Sequence, residues 1–89
     1  MDDMDDMPKV SMAEKFMIVD EAGNKRAVLG FLQGEPSLTL YGPDGKERMT
    51  LRLNAEGDPS LELYDRQGKV RAVLGLAADG SPSLKKKNV

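Results

Sequence analysis

The chain has 89 residues, with 13 basic and 15 acidic side chains and no cysteine, histidine or tryptophan. The missing cysteine excludes disulfides and thiolate metal sites, and the missing histidine removes the commonest general base and metal ligand. We therefore expect no enzyme, no cofactor and no bound metal. A formal net charge of −2 lacks the basic excess of nucleic-acid binders, so no nucleic-acid partner is expected.

Residues 1–14 form an acidic segment that contains several methionines. Its densest carboxylate cluster lacks the glycine and the later glutamate of a calcium-binding loop, so a flexible tail is favoured over a metal site; the cluster comprises Asp2, Asp3, Asp5 and Asp6. The alternative is a short helix, which the spacing of Met1, Met4 and Met7 and the Ser11-x-x-Glu14 capping pattern favour. No apolar run is long enough for a membrane span, and nothing specifies a compartment.

Residues 15–89 are built from a tandem repeat. Pro-Ser-Leu triplets begin at Pro36, Pro59 and Pro82, at equal intervals along the chain. The repeat defines units 15–36, 37–59 and 60–82 and a terminal stub, 83–89. The first unit is one residue short, and the deletion falls in the loop before Pro36. A repeat with a period of about 23 residues predicts a stack of identical supersecondary units.

Each unit reads as a β-hairpin because apolar residues alternate with other residues at period two. We predict short strands at 16–19, 38–41 and 61–64 and longer strands at 26–31, 48–53 and 71–76. The turn inside each unit ends in Gly23, Gly45 or Gly68, as in a type I turn followed by a left-handed residue. The Gly-x-Pro sequences between units are interpreted as turns. The predicted fold is all-β, an antiparallel up-and-down meander of six strands, with the stub as a candidate seventh.

Alternation assigns one almost wholly apolar face, here called the Leu-rich face, provided that the turns keep the strands in phase. Beside Ala27, Met49 and Ala72, it contains the predicted oligomer interface: Phe16, Ile18, Leu29, Phe31, Leu38, Leu40, Leu51, Leu53, Leu61, Leu63, Leu74 and Leu76. Such a face must be covered by a second layer, and no helix is predicted that could supply one. We expect homo-oligomerisation, with a trimeric prism ahead of a face-to-face dimer. The alternative is a single chain whose sheet curls until its edges meet.

The opposite face is mixed, and we call it the Tyr/Arg face. An arginine recurs at one position of each longer strand, and a tyrosine recurs in two short strands: Arg26, Tyr41, Arg48, Tyr64 and Arg71. Stacking and bidentate hydrogen bonds would let this row bind a polyanion or a saccharide. A structural role is favoured, in which arginine covers the aromatic rings and pairs with carboxylates across strands. The first functional hypothesis is therefore a non-catalytic structural module, and the alternative is a ligand-binding module.

The pattern Leu61-x-Leu63-Tyr64-Asp65, with Gly68-Lys69-x-Arg71-Ala72 and Leu74-Gly75-Leu76 after it, resembles tandem repeats in bacterial proteins of uncharacterised function. The resemblance covers residues 15–84. It implies a bacterial or phage source and a β-rich module, and it carries no activity and no functional residues. Those repeats often follow a hydrophobic anchor or a coiled coil, and this chain differs from them by the missing hydrophobic anchor.

Overall fold

A computed structural model describes residues 9–87, which form one antiparallel sheet of seven strands in the order of the chain. The all-β meander is therefore confirmed, with the stub forming the seventh strand. No helix occurs in the described range, so the Ser11-x-x-Glu14 pattern does not begin one; the aspartate cluster and the methionines at 1, 4 and 7 lie outside this range. The strands are β1 (Phe16–Val19), β2 (Lys25–Leu32), β3 (Glu35–Tyr41), β4 (Glu47–Leu53), β5 (Pro59–Tyr64), β6 (Val70–Leu76) and β7 (Pro82–Lys86).

The pairing register keeps the three rows of the Leu-rich face in phase, as the assignment of the faces requires, and it shifts only beyond them, at Val19, Tyr41 and Tyr64. Leu29 lies opposite Phe16 on β1 and opposite Leu38 on β3, and the same row continues to β7. Directly opposed residues share a face, so the Leu-rich face consists of three rows. The central row is Phe16, Leu29, Leu38, Leu51, Leu61, Leu74 and Leu84; the flanking rows are Ile18, Ala27, Leu40, Met49, Leu63, Ala72 and Lys86, and Phe31, Pro36, Leu53, Pro59, Leu76 and Pro82.

Five of the six turns share one geometry, which reveals a shorter repeat of one strand and one turn. In each, a glycine with a φ of 82–87° donates its N–H to the carbonyl three residues earlier, as Gly23 does to Asp20 and Gly57 to Asn54. The turn glycines follow one another at half the spacing of the Pro-Ser-Leu triplets. The predicted turns inside the units are confirmed, and a side-chain oxygen braces each of the five turns. Asp65 Oδ1, for example, accepts hydrogen bonds from the backbone N–H groups of Gln67 and Lys69.

The remaining turn explains the one-residue deletion in the first unit. Between β2 and β3 the chain reverses through Gln33 and Gly34 alone, with φ values of 54° and 83°. Two consecutive residues at positive φ are typical of a two-residue type I′ turn, whose twist matches that of the strands it joins. The deletion therefore shortens a turn and leaves the register of the sheet intact.

The prolines of the triplets do not lie in turns, and this part of the prediction was wrong. Pro36 is paired with Phe31, Pro59 with Leu53 and Pro82 with Leu76, so all three are strand residues on the Leu-rich face. Proline lacks a backbone N–H and is tolerated near strand ends, where the ladder hydrogen bond is missing without cost. The turns proper end at Gly34, Gly57 and Gly80.

The sheet is a single layer without a hydrophobic core. Ala27 is the only hydrophobic residue that is buried in the described range. Ten large apolar side chains of the Leu-rich face are exposed: Phe16, Ile18, Leu29, Phe31, Leu40, Leu51, Leu63, Leu74, Leu76 and Leu84. The edge strands β1 and β7 lie at opposite ends of the strand order and do not pair with each other.

Candidate functional site: an uncovered apolar sheet face

The size of the Leu-rich face is set by the strand spacing and the three rows. Seven strands at ~4.8 Å extend for about 29 Å, and three rows at ~6.8 Å intervals are about 20 Å wide with their side chains. The face therefore covers about 580 Å², somewhat less than the ~800 Å² that each partner buries in a standard protein interface. Burying ten half-exposed large side chains would contribute about 10 kcal/mol per chain.

The surface of this face is corrugated at the spacing of the repeat. In the central row, Leu51 and Leu74 on the longer strands β4 and β6 are each 47% exposed, whereas Leu61 between them on β5 is more covered. The depression above Leu61 has a volume of about 350 Å³ and lining atoms that are almost all apolar; it is bounded by Pro59, Leu76 and Pro82 as well as the three leucines.

Side-chain size is distributed unevenly over the three rows. Every member of the central row is leucine or phenylalanine. Smaller or cyclic residues occur only in the flanking rows, at Ala27, Ala72, Pro36, Pro59 and Pro82. The small and cyclic side chains of this face therefore lie toward the strand ends, where they alternate with large ones such as Phe31 and Leu53.

On the Tyr/Arg face the three recurring arginines donate hydrogen bonds within the sheet. Arg26 Nε lies 3.1 Å from the Tyr41 carbonyl oxygen, and Arg48 Nε lies 3.2 Å from that of Tyr64. Arg71 Nε lies 2.6 Å from the carbonyl oxygen of Lys87. Each arginine thus binds the backbone of the next strand near its end.

Two of these arginines also face a carboxylate of the preceding turn. Arg71 lies 3.0 Å from Asp65 and Arg26 lies 3.7 Å from Asp20, and both pairs are partly exposed. Hydrogen bonds hold the pKa of both aspartates below the ordinary value, chiefly those from the backbone N–H of Lys69 to Asp65 and from that of Asn24 to Asp20. The second unit has Gly42 at this position, so Arg48 has no equivalent carboxylate.

The tyrosines contact neighbours on the same face. Lys25 Nζ lies 4.4 Å from the centroid of the Tyr41 ring, a cation–π contact. The Tyr64 hydroxyl donates to Glu62 Oε1 at 3.1 Å, and burial, with this hydrogen bond, raises the pKa of the phenol. In the middle of the face, Thr39 and Thr50 are buried, the latter at 2% exposure.

All seventeen predicted site residues lie in strands. The twelve predicted interface residues form the rows of the Leu-rich face, whereas the three arginines are the residues skipped at the register shifts opposite Val19, Tyr41 and Tyr64. Sequence reasoning missed Leu84, which completes the central row on β7. Its signal was present, because Pro82-Ser83-Leu84 repeats the earlier triplets. It also missed the burial of Thr39 and Thr50, for which the alternating pattern gives no signal.

Within residues 9–87, no three acidic side chains are grouped so that they could hold a metal ion. The same residues contain no helix with the length and apolarity needed to cross a membrane. Comparison with known proteins identified no matching protein-family model and no similar curated protein.

Proposed function

We propose that this protein is a non-catalytic structural module that assembles with copies of itself through the Leu-rich face. One observation carries the proposal: Ala27 is the only buried hydrophobic residue among residues 9–87, while ten large apolar side chains of one face are exposed. A sheet with one apolar face needs a second layer. A second copy supplies one, because it presents a face of the same size and the same corrugation.

A three-sheet prism is our preferred arrangement, with strands perpendicular to the prism axis. Packed sheets are ~10 Å apart, so each sheet contributes an apolar layer of about 5 Å. An equilateral triangle with sides of about 20 Å, the width of the three rows, has its centre about 6 Å from each side. The layers of three sheets therefore meet at the axis and leave little empty space.

The distribution of side-chain size supports the prism over a face-to-face dimer. In a prism the central row points toward the axis, where the space is deepest, and the flanking rows approach the corners, where adjoining sheets converge. The central row has only large residues, whereas large residues alternate with small or cyclic ones in the flanking rows, and this difference fits the taper. Two parallel sheets are separated by a uniform gap of ~10 Å, which requires no such gradient.

Single cysteines test the arrangement, because the natural chain contains none. We expect Leu29→Cys, Leu51→Cys and Leu74→Cys each to be cross-linked between identical positions by a short bifunctional thiol reagent, since the whole central row lies along the axis. Leu32→Cys, on the opposite face, is the control and should not be cross-linked. In a dimer whose two-fold axis crosses the central row, at most the position nearest that axis would react with its own copy. A dimer whose two-fold axis runs along the row would react at all three positions, and its mass of two chains distinguishes it from the prism. Absence of cross-linking at all three central positions would contradict the prism.

Ligand binding by the Tyr/Arg face is the alternative function, for a polyanion or a saccharide. Its support is Arg48, which is exposed and, within the described residues, forms no salt bridge. Tyr41→Ala, Tyr64→Ala and Arg48→Ala should abolish such binding without changing the mass of the assembly. Titration with heparin or a mixed glycan array measures the binding, and light scattering measures the mass. Binding that survives all three substitutions would contradict this alternative.

A further inference from the structure

The two edges of the sheet differ in the features that prevent pairing with another chain. β7 begins with Pro82 and carries Lys85 and Lys86, and lysine and proline are common devices for keeping an edge strand unpaired. β1 consists of Phe16, Met17, Ile18 and Val19, with no charge, proline or glycine. These four side chains are between 47% and 65% exposed. Among residues 9–87, no strand pairs with the side of Phe16–Val19 that faces away from β2, and we call this side the β1 edge. Apart from being short, it lacks the protections that β7 has.

β1 is also apolar on the face that the proposed prism leaves in solvent. Met17 belongs to a row of the Tyr/Arg face in which the other short strands place Thr39, Glu62 and Lys85. Covering the Leu-rich face would leave Met17 and Val19 exposed. Within residues 9–87, Met17 and Val19 are 47% and 53% exposed, and residues 9–15 are exposed as well.

We propose that the β1 edge pairs antiparallel with the β1 edge of a second copy of this chain. Pairing centred on Met17 places the two copies of Met17 opposite each other, Phe16 opposite Ile18, and Lys15 opposite Val19. Residues an even number of positions apart lie on the same face, so this register joins the two sheets with their Leu-rich faces on one side. The pairing satisfies the free backbone groups of β1 and covers Met17.

This inference rests on the proposed prism, since one four-residue pairing is too small to hold two copies together. Specific interfaces bury about 1,200 Å² or more in total. In the prism, three β1 edges lie at the same end and three lysine-bearing β7 edges lie at the other. Three pairings then form together, and linked weak contacts reinforce one another. The result is two prisms joined end to end, an assembly of six chains.

Charge complementation at Met17 tests the pairing. Met17→Lys and Met17→Glu each place like charges directly opposite each other, which destabilises a cross-strand pair. We expect each variant alone to have half the wild-type mass, that of three chains, by light scattering behind a sizing column. Mixing the two variants should restore the six-chain mass, because opposite charges then face each other. Lys85→Glu, in the same row at the other edge, is the matched control and should keep the wild-type mass.

Amide hydrogen exchange provides the second measurement and shows that the variants remain folded. The amides of β1 should be protected in the wild type and exchange rapidly in Met17→Lys, while protection of β4 and β5 stays unchanged. A wild-type mass of three chains that neither substitution alters would overturn the edge pairing and leave the prism standing. Variants that keep the six-chain mass would also overturn it. A folded wild-type monomer would overturn both proposals.

Discussion

Replacement of Leu51 by aspartate should dissociate the proposed assembly into single chains, whereas replacement of Leu32 by aspartate should not. The two leucines are 47% and 41% exposed in a single chain and lie on opposite faces of the sheet. For an isolated chain the two substitutions are therefore nearly equivalent. Only burial of the Leu-rich face between copies makes them different.

The expected loss of association free energy in Leu51→Asp has two contributions, the lost burial of leucine and the burial of a charged carboxylate. Removing a half-exposed leucine from the interface costs about 1 kcal/mol, and burying an aspartate carboxylate without a partner costs at least ~3 kcal/mol more. Together these amount to about 4 kcal/mol per chain, a factor of about 10³ in affinity for each chain that joins. In a prism three such carboxylates would also lie close to the axis and repel one another.

Analytical ultracentrifugation over a tenfold range of concentration measures the effect. We expect Leu51→Asp to sediment as a chain of 9.7 kDa and to lose much of its β-sheet circular dichroism, and Leu32→Asp to keep the wild-type sedimentation coefficient. The reasoning is refuted if Leu51→Asp remains folded with the wild-type mass. It is equally refuted if both variants dissociate to the same extent.

Three further predictions concern the turns. Asp20 and Asp65 have folded-state pKa values below the ordinary 3.8, so their contribution to stability is present above about pH 4 and is lost as the pH falls through the lower folded values. Thermal melts from about pH 5 to about pH 2 should show this loss of stability. The double variant Asp20→Asn, Asp65→Asn should show a smaller loss, because asparagine keeps the turn hydrogen bonds but does not titrate. Gln33 has a φ of 54° in the type I′ turn, so Gln33→Asn should raise the free energy of unfolding by about 0.5–1 kcal/mol, and an unchanged denaturation midpoint would contradict that assignment. Gly45→Ala should lower the free energy of unfolding by about 1–2 kcal/mol. The φ of 82° is unfavourable for a residue with a Cβ, and the new methyl group would meet no neighbour within 4 Å, so no new contact offsets the backbone strain.

The strands and the two faces could be predicted from the sequence because the repeat carries both signals at once. Period-two alternation marks each strand, and the glycine of each turn fixes where the chain reverses. The prolines were wrongly predicted to lie in turns because proline usually indicates a turn. Pro36 and Pro59 instead lie close to strand ends, where a missing N–H is tolerated. The half-length repeat was hidden because successive turns have only their glycine as an identical residue, and because Gly34 belongs to a turn of a different type.

The arginine contacts on the Tyr/Arg face could be predicted only in part. Recurrence of Arg26 and Arg71 indicated a role tied to the fold, and pairing with carboxylates was expected across strands. The structure places these carboxylates in the preceding turn of the same hairpin instead. The hydrogen bond from Arg26 Nε to the carbonyl oxygen of Tyr41 depends on the local geometry of the strand end. Residue types alone give no signal for that geometry.

The mass of the wild-type protein in solution tests the central claim most directly. Light scattering behind a sizing column, over a tenfold range of concentration, should give a constant mass equal to three chains for one prism, or to six chains for two prisms joined through β1. A mass equal to two chains would replace the prism by a face-to-face dimer and keep the buried Leu-rich face. A well-folded monomer at every concentration would contradict the claim that this face is buried between copies.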